Sequence, residues 1–242
     1  RDLHSFPTRR SSDLNAGQTA PCPGQLSNVV QVVAGDDDIS GALLADGTVV
    51  AWGNNDTGAL GDGTTTDRLS PVRVCAVGAV APCSSFLSGV VSIAAGRTHM
   101  LALLSDGTVV SWGHNTQGQL GDGTLTDRLT PVRVCAVGEP TPCSNFLSGV
   151  SGLVGANNHS VALLTDGSVV TVGSNQFGQL GDGTNGGRVV PVPVCAEGQS
   201  APCSQFLTGV TAIGPGLLDN TLAVRSEEHT SELQSRTLIS YA

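Results

Sequence analysis

Lysine is absent from this sequence of 242 residues, and its eleven basic residues other than histidine are all arginine. Twenty acidic residues leave a net charge of -9. Proteins that bind nucleic acid present clustered Lys and Arg side chains, so the composition argues against a nucleic-acid partner. No apolar run approaches the ~20 residues that a membrane-spanning helix needs, and the sequence therefore predicts no membrane-spanning segment.

Residues that favour helices are also scarce: lysine is missing and there is a single methionine. In their place stand 32 glycines and short recurrent runs of valine and threonine. Short β-branched runs bounded by turn residues are typical of sheet-based folds. The composition therefore predicts an all-β protein.

The sequence repeats itself with a period of sixty residues. One copy reads SWGHNTQGQLGDGTLTDRLTPVRVC (Ser111–Cys135), and matching text stands sixty residues earlier and sixty residues later. The copies align without gaps from Ala51 to about Gly209. A long, fixed period predicts one structural module per copy, with each module stacked on its neighbours.

Each copy has the pattern of four strands. In the copy around Asp106 these are Gly89–Gly96, His99–Ser105, Thr108–Gly113 and Leu129–Val137. Asp106-Gly107 predicts a two-residue hairpin turn with both residues at positive φ, and the small residues before Gly96 suit a crowded strand near an axis. Pro131 cannot donate to a sheet ladder, which places the fourth strand at an edge. Four antiparallel strands per copy, arranged around an axis, are a blade of a β-propeller.

Residues shared by the copies are expected to be structural. Val110 and Trp112 should lie on one face of the third strand, with Val109 and Ser111 on the other. Leu120 is the lone apolar residue of a long polar loop and should fill the gap between modules. The shared positions are Asp46, Gly47, Trp52, Gly53, Leu60, Asp106, Gly107, Trp112, Gly113, Leu120, Asp166, Gly167 and Leu180.

Both ends of the chain break the pattern. His4–Leu14 (HSFPTRRSSDL) and Arg225–Ser235 (RSEEHTSELQS) resemble translations of sequencing adapters. Taken at face value, the second end would be a charged amphipathic helix. We expect residues 1–14 and 225–242 to be artefacts instead, and residues 15–224 to be a repeat domain from a longer protein.

Seven cysteines occupy fixed places in the copies. They form pairs eight positions apart, which are Cys75–Cys83, Cys135–Cys143 and Cys195–Cys203; Cys22 stands alone because its partner position is Leu14. The closer C-x2-C pairs of zinc sites are missing, and buried unpaired thiols are the alternative to local disulfides. We predict disulfides, which form in oxidising compartments and indicate an extracellular or cell-surface protein.

The run ALLSDGTVVSWGHNTQGQLGDGT (Ala102–Thr124), preceded by AAGRTH (Ala94–His99), resembles the RCC1 repeat, named for the regulator of chromosome condensation. The resemblance covers essentially all of residues 15–224 and is to secreted, bacterial-type members. It implies a propeller of seven blades, of which about three and a half four-stranded blades are present. Val172 departs from the pattern at the tryptophan position, and Ile39 departs from it at the position of His99 and His159.

Few residues suggest chemistry. His99 and His159 are the best catalytic candidates by residue type, but their identical place in two copies favours a structural role. Gly181–Gly187 contains G-x-G-x-x-G without a following helix, so it predicts no dinucleotide site. Asp36, Asp37 and Asp38 are weak metal candidates, because they lack the alternating ligands of a calcium loop. No catalytic residue, cofactor or metal is therefore predicted.

Two functions fit these observations. The first is a non-catalytic scaffold that binds an unknown partner protein through loops that differ between copies, such as those before Cys83 and Cys143. The alternative is guanine-nucleotide exchange on a small GTPase, the activity of the family's nuclear founder. None of that protein's partner-contacting residues match positions here, and disulfides fit poorly with a nuclear role. A hydrolase or lyase would need catalytic groups that converge at one end of the axis, and the repeats offer none.

Overall fold

Every regular element in the described part of the chain is a strand. The computed structural model describes residues 25–199, 201–216, 220–226 and 236–241, the backbone alone for residues 226 and 236–241. This part contains three four-stranded antiparallel sheets and one three-stranded sheet. It has no helix, and hence none long and apolar enough to cross a membrane. The prediction of an all-β, incomplete propeller with about three and a half blades is confirmed.

The strands follow one another in chain order within each blade, from the innermost to the outermost. The first blade consists of β1 (Val29–Ala34), β2 (Ile39–Leu44), β3 (Val49–Gly53) and β4 (Arg68–Arg73). The second consists of β5 (Val90–Ala95), β6 (His99–Leu104), β7 (Val109–Gly113) and β8 (Arg128–Arg133). The third consists of β9 (Val150–Gly155), β10 (His159–Leu164), β11 (Val169–Gly173) and β12 (Arg188–Pro193).

The last blade contains β13 (Val210–Pro215), β14 (Thr221–Ser226) and β15 (Arg236–Tyr241). Its third strand, β15, lies within residues 225–242, the segment that breaks the repeat pattern. In the other three blades the third strand follows the second after a short Asp-Gly turn. The last blade is therefore connected differently from its neighbours.

The first strand of each blade lies nearest the axis. β1, β5, β9 and β13 contact one another in succession. A Cβ added to Gly155 in β9 would collide with the backbone of Ala95 and Gly96. Small residues are required here because the inner strands converge, as the sequence predicted.

Apolar side chains fill the space between blades. Val110 and Trp112 join a buried cluster shared with the first blade, whereas Val109 joins the cluster shared with the third. Leu60 and Leu120 are 0% exposed, and Leu60 belongs to the first of these clusters. Burying one such side chain contributes about 1.5–3 kcal/mol, so the loop leucines act as packing between blades.

The Asp-Gly turns differ from the prediction. Only Gly107 has a positive φ, 79°, and its N–H donates to Leu104 O at 2.9 Å while Leu104 N–H donates to Thr108 O at 2.9 Å. The loop therefore has three residues, a type I turn closed by a left-handed glycine. Asp106 keeps a negative φ and closes the turn with its carboxylate, which accepts hydrogen bonds from the N–H (2.9 Å) and hydroxyl (2.6 Å) of Thr108.

The fourth strand is shorter than predicted. β8 ends at Arg133 rather than Val137. Val134 N–H still donates to Val109 O of the adjacent strand β7 at 3.1 Å, whereas Cys135 N–H donates to Gly121 O, outside the sheet, at 2.8 Å. The chain thus leaves the sheet for the neighbouring loop. Pro131 lies in the outer strand, as predicted.

Candidate interaction surface

A disulfide closes the loop that follows each outer strand. The structure pairs Cys75 with Cys83, Cys135 with Cys143, and Cys195 with Cys203, with Cα–Cα distances of 5.8, 5.7 and 5.7 Å. The predicted local pairs are thus present, and Cys22 lies outside the described residues. We call residues 75–83, 135–143 and 195–203 the clamped loops.

The clamped loops share one backbone frame. In the first, Cys75 N–H donates to Gly61 O at 2.9 Å, and Ala76 N–H donates to Ser85 O at 2.9 Å. Cys135 and Cys195 repeat the first bond with the preceding loop of their own copy, each at 2.8 Å. A bridge also joins the first cysteine of each loop to a phenylalanine eleven residues later. The frame is therefore the same in three copies.

A buried asparagine holds the loop on which each frame rests. Asn115 is 0% exposed. Its Nδ2 donates to Asp122 Oδ1 (3.0 Å), Thr124 O (3.1 Å) and Thr126 O (3.1 Å), and its Oδ1 accepts from Leu120 N–H (3.0 Å). Asn55 and Asn175 make the same set of bonds. Sequence reasoning missed this role, although an asparagine stands two residues after the Gly53, Gly113 or Gly173 position of every copy.

An ion pair completes the same network. Arg68 contacts Asp62 at 2.5 Å, and the equivalent pairs Arg128–Asp122 and Arg188–Asp182 are each 2.6 Å apart. Burial raises the pKa of Asp62, but hydrogen bonds from Thr64 and Arg68 outweigh this effect and hold that pKa below its usual range. Asp182 behaves in the same way. Asp62 and Asp182 are therefore ionised, and all three carboxylates are engaged by arginines of the protein itself.

The tips of the clamped loops differ. Val80 in the first loop is 84% exposed. Glu139 in the second accepts hydrogen bonds from Ser144 Oγ (2.8 Å) and from Nδ2 of Asn145 (2.9 Å). Gln199 in the third accepts a bond of 3.2 Å from the Ser204 hydroxyl. One frame therefore presents an apolar tip, an acidic tip and an amide tip.

The first two clamped loops hydrogen-bond to the outer strand of the next blade. Gly78 N–H donates to Pro131 O at 3.0 Å, and Gly138 N–H donates to Pro191 O at 3.1 Å. These bonds occupy acceptors on the outer strands β8 and β12, which protects exposed sheet edges from pairing with other chains. They also fix successive clamped loops relative to one another. We call this surface, formed by β4, β8, β12 and the clamped loops, the rim.

The three aspartates near the axis do not form a metal site in the described part. Asp37 pairs with Arg97 at 3.2 Å. Asp38 has φ 58°, and its carbonyl accepts from Asn54 N–H at 3.1 Å, while Asp36 is exposed. Within residues 25–199, 201–216 and 220–226, no three His, Cys, Asp or Glu side chains are grouped to hold a metal ion.

The two candidate histidines bridge neighbouring blades. His99 is 0% exposed. The Ser160 hydroxyl donates to Gln119 O (2.7 Å), so His99 Nε2–H must donate to Ser160 Oγ (2.9 Å). Burial above all, with smaller effects from His159 and His114, lowers the pKa of His99 to about 3. His159 Nε2 lies 3.1 Å from Thr221 Oγ1 in the next blade, so both imidazoles join strands of adjacent sheets.

The departure at Val172 has a structural reason. Trp112 Nε1–H donates to Ala59 O at 2.9 Å, across the interface of the first and second blades. At the next interface the equivalent carbonyl, of Gln119, accepts the Ser160 hydroxyl instead. A tryptophan is therefore not needed there to satisfy that carbonyl, and Val172 occupies its place.

The departure at Ile39 reflects the same difference between the two blade interfaces. His99 faces Ser160, whereas Met100 occupies the position of Ser160 one blade earlier. Ile39 and Met100 lie in one buried apolar cluster. An imidazole opposite Met100 would lack a hydrogen-bond partner, which is costly in a buried site. The two departures are thus alternative ways to close a blade interface.

Comparison with known families agrees with the repeated geometry. Two models of the Regulator of chromosome condensation (RCC1) repeat match the chain, one over residues 46–103 and 106–163 and the other over residues 90–119 and 154–179. The Ultraviolet-B receptor UVR8 of Arabidopsis thaliana is 33% identical over 165 residues, or 68% of this chain and 34% of the receptor. The Protein RCC2 homolog of Danio rerio is 32% identical over 187 residues, which are 74% of this chain and 34% of the homolog. The chain thus spans about a third of the length of these relatives.

Solved structures with the same fold include human WBSCR16, with a TM-score of 0.60 at 24% identity, covering 86% of this chain and 47% of that one. Yeast RCC1 (Prp20), solved bound to Kap60, has a TM-score of 0.57 at 25% identity, and the match covers 81% of this chain and 39% of the yeast protein. The two family models together match residues 46–179. They show that the chain belongs to the RCC1 repeat family.

Proposed function

We propose that this chain is a non-catalytic scaffold that binds a partner protein through the clamped loops of its rim, in an oxidising compartment outside the cell. The observation that carries the proposal is one backbone frame, repeated in three copies, that presents three different tips. Loops that vary on a rigid framework are where proteins commonly place recognition residues.

The disulfides support both the location and the rigidity. Structural disulfides persist in oxidising environments and are rare in the cytosol and nucleus. Each clamp closes a short loop and would stabilise it by about 2.5 kcal/mol in the chain-entropy model. A tip that is already ordered loses less conformational entropy when it binds. Clamped loops are therefore well suited to recognition.

A non-catalytic role is supported by how the reactive side chains are used. His99 is buried, and its lowered pKa keeps the imidazole neutral. Asp62 and its equivalents are engaged by arginines. In this proposal residues 15–224 carry the function, and residues 1–14 and 225–242 contribute nothing to it.

The alternative is regulation of a small GTPase. The crystal structure of Prp20p from Saccharomyces cerevisiae was described together with the binding of that protein to Gsp1p and histones. This chain shares the fold of Prp20p. The same experiment decides between the two functions.

The test uses the immobilised full chain in two separate captures, one from the secreted and one from the intracellular proteins of the source organism, followed by measurement of affinity with the purified partner. Val80→Ser and Glu139→Ala change two tips but leave the frame intact, and Asp36→Ala changes an exposed residue at the axis. We expect each tip variant to weaken binding about tenfold, a loss of about 1.4 kcal/mol, and the Asp36 variant to bind normally. Wild-type affinity in both tip variants would contradict the proposal. Accelerated nucleotide release from a captured GTPase would establish the alternative.

A further inference from the structure

Two arginines on the rim stand apart from the others. Arg68, Arg97, Arg128 and Arg188 are held in ion pairs. Arg73 and Arg133 occupy the same place in successive blades and form no ion pair with any described carboxylate. Each lies over a phenylalanine instead, 5.4 Å from the Phe86 ring centroid and 5.5 Å from that of Phe146.

These Arg–Phe pairs lie at the surface. Phe86 and Phe146 are each 39% exposed, and Val77 and Val137 on the adjoining clamped loops are 39% and 42% exposed. Each phenylalanine therefore keeps more than a third of its surface open to solvent. Exposed aromatic and aliphatic groups beside a cation are typical of sites that bind protein.

The guanidinium groups remain available for a ligand. A guanidinium that lies over an aromatic ring keeps its N–H donors, which lie in its own plane and fit a carboxylate. Hydrogen bonds from Thr48 and Thr108 above all, and to a smaller extent the charges of Arg73 and Arg133, lower the pKa of Asp46 and Asp106 respectively. Their carboxylates already accept hydrogen bonds of 2.6 Å from Thr48 and Thr108. The two arginines therefore have unused capacity for an external anion.

The third blade differs at each of these positions except the phenylalanine. Pro193 replaces the arginine, Glu197 replaces the valine, and Phe206 is 46% exposed. An acidic ligand would meet a glutamate there and no guanidinium. Among the blades whose outer strand is described, the cationic surface is therefore confined to the first two.

We propose that the pairs Arg73–Phe86 and Arg133–Phe146 form a two-point docking site for an acidic segment of the protein partner. Carboxylates of that segment bind the guanidinium groups, and its apolar side chains cover the phenylalanines and the adjoining valines. The inference rests on the proposed function, since it names the chemistry of the segment that the rim recognises. Charge complementarity selects an acidic segment although the chain itself carries a net charge of -9.

The test measures fluorescence anisotropy of a rhodamine-labelled peptide of alternating Glu and Phe with the full chain at low salt. We expect Arg73→Gln and Arg133→Gln each to weaken binding about threefold, and the double variant to weaken it about tenfold. Arg97→Gln is the matched control, because it removes the same charge at the axis and should leave affinity unchanged. Added salt should weaken binding to the wild type.

Three results would overturn the proposal: no binding of the Glu-Phe peptide, equal binding of a Lys-Phe peptide, or loss of affinity in Arg97→Gln as large as in Arg73→Gln. Arg73→Lys checks that the guanidinium matters, since it keeps the charge but should recover only part of the affinity. Matching thermal unfolding of all variants shows that they are folded. If the purified partner binds the double variant normally but loses affinity in the tip variants, the docking site is wrong and the scaffold function stands.

Discussion

Replacing Asn115 with alanine is expected to weaken the frame beneath the second clamped loop. The side chain is fully buried and holds the loop of residues 120–126 by four hydrogen bonds of 3.0–3.1 Å. Its removal leaves the Leu120 N–H and the Thr124 and Thr126 carbonyls without their partner. Orphaning the buried Leu120 N–H costs about 1–3 kcal/mol, and the carbonyls of half-buried Thr124 and exposed Thr126 add less. Because members of one network are not additive, we expect a total loss of about 3–4 kcal/mol in the free energy of unfolding.

The matched control is Asn145→Ala. Asn145 is exposed and donates only to Glu139, so its loss should be below about 1 kcal/mol. Asn175→Ala should match Asn115→Ala within about 1 kcal/mol, because its side chain makes the equivalent four bonds, with Gly186 O in place of Thr126 O. A third copy that behaved unlike the second would show that the repeated bonds do not carry equal energy.

The assay is thermal unfolding of the full chain at pH 7, followed by circular dichroism. A loss of 3 kcal/mol should lower Tm by roughly 6–12 °C for a chain of this size. Urea unfolding gives the free energy independently. If Asn115→Ala cost less than about 1 kcal/mol, or no more than Asn145→Ala, unpaired buried groups would not dominate the stability of this loop and the reasoning would be refuted.

Two further predictions concern pH and glycine. Stability should fall by about 2 kcal/mol through His99 between pH 7 and pH 5, because the pKa of His99 is about 3 in the folded chain against 6.5 ordinarily, so only the unfolded chain gains a proton there. Urea unfolding of His99→Ile, which copies Ile39, should lack this part of the pH dependence; an unchanged dependence would count against it. Gly61→Ala should cost at least 1 kcal/mol more than Gly78→Ala, because both have positive φ (65° and 69°) but only the first places a Cβ 2.8 Å from Trp112. Equal losses would mean that backbone strain alone determines the cost of both substitutions.

Much of the fold could be predicted because its signals are local or periodic. Three local signals indicate burial, edge position and pairing without knowledge of a distant partner. They are the alternation of Val109 and Val110, the edge proline Pro131, and the cysteines eight residues apart. A repeat with a fixed period then extends one such unit to the rest of the chain.

The remaining features depend on contacts that no local pattern encodes. The roles of Asn115 and Ser160 arise from partners across a loop or in another blade. The Asp106 turn was predicted with the wrong geometry, because the dipeptide rule omits the bond between its carboxylate and Thr108. The candidate surface was predicted only as variable loops, since the exposure of Phe86 beside Arg73 requires the folded rim.

The central claim, that one clamped frame is repeated along the rim, is tested most directly by mapping disulfides in the secreted, unreduced protein by peptide mass spectrometry. The structure predicts three local links, Cys75–Cys83, Cys135–Cys143 and Cys195–Cys203. Links between different loops, or free thiols at these six positions, would contradict it.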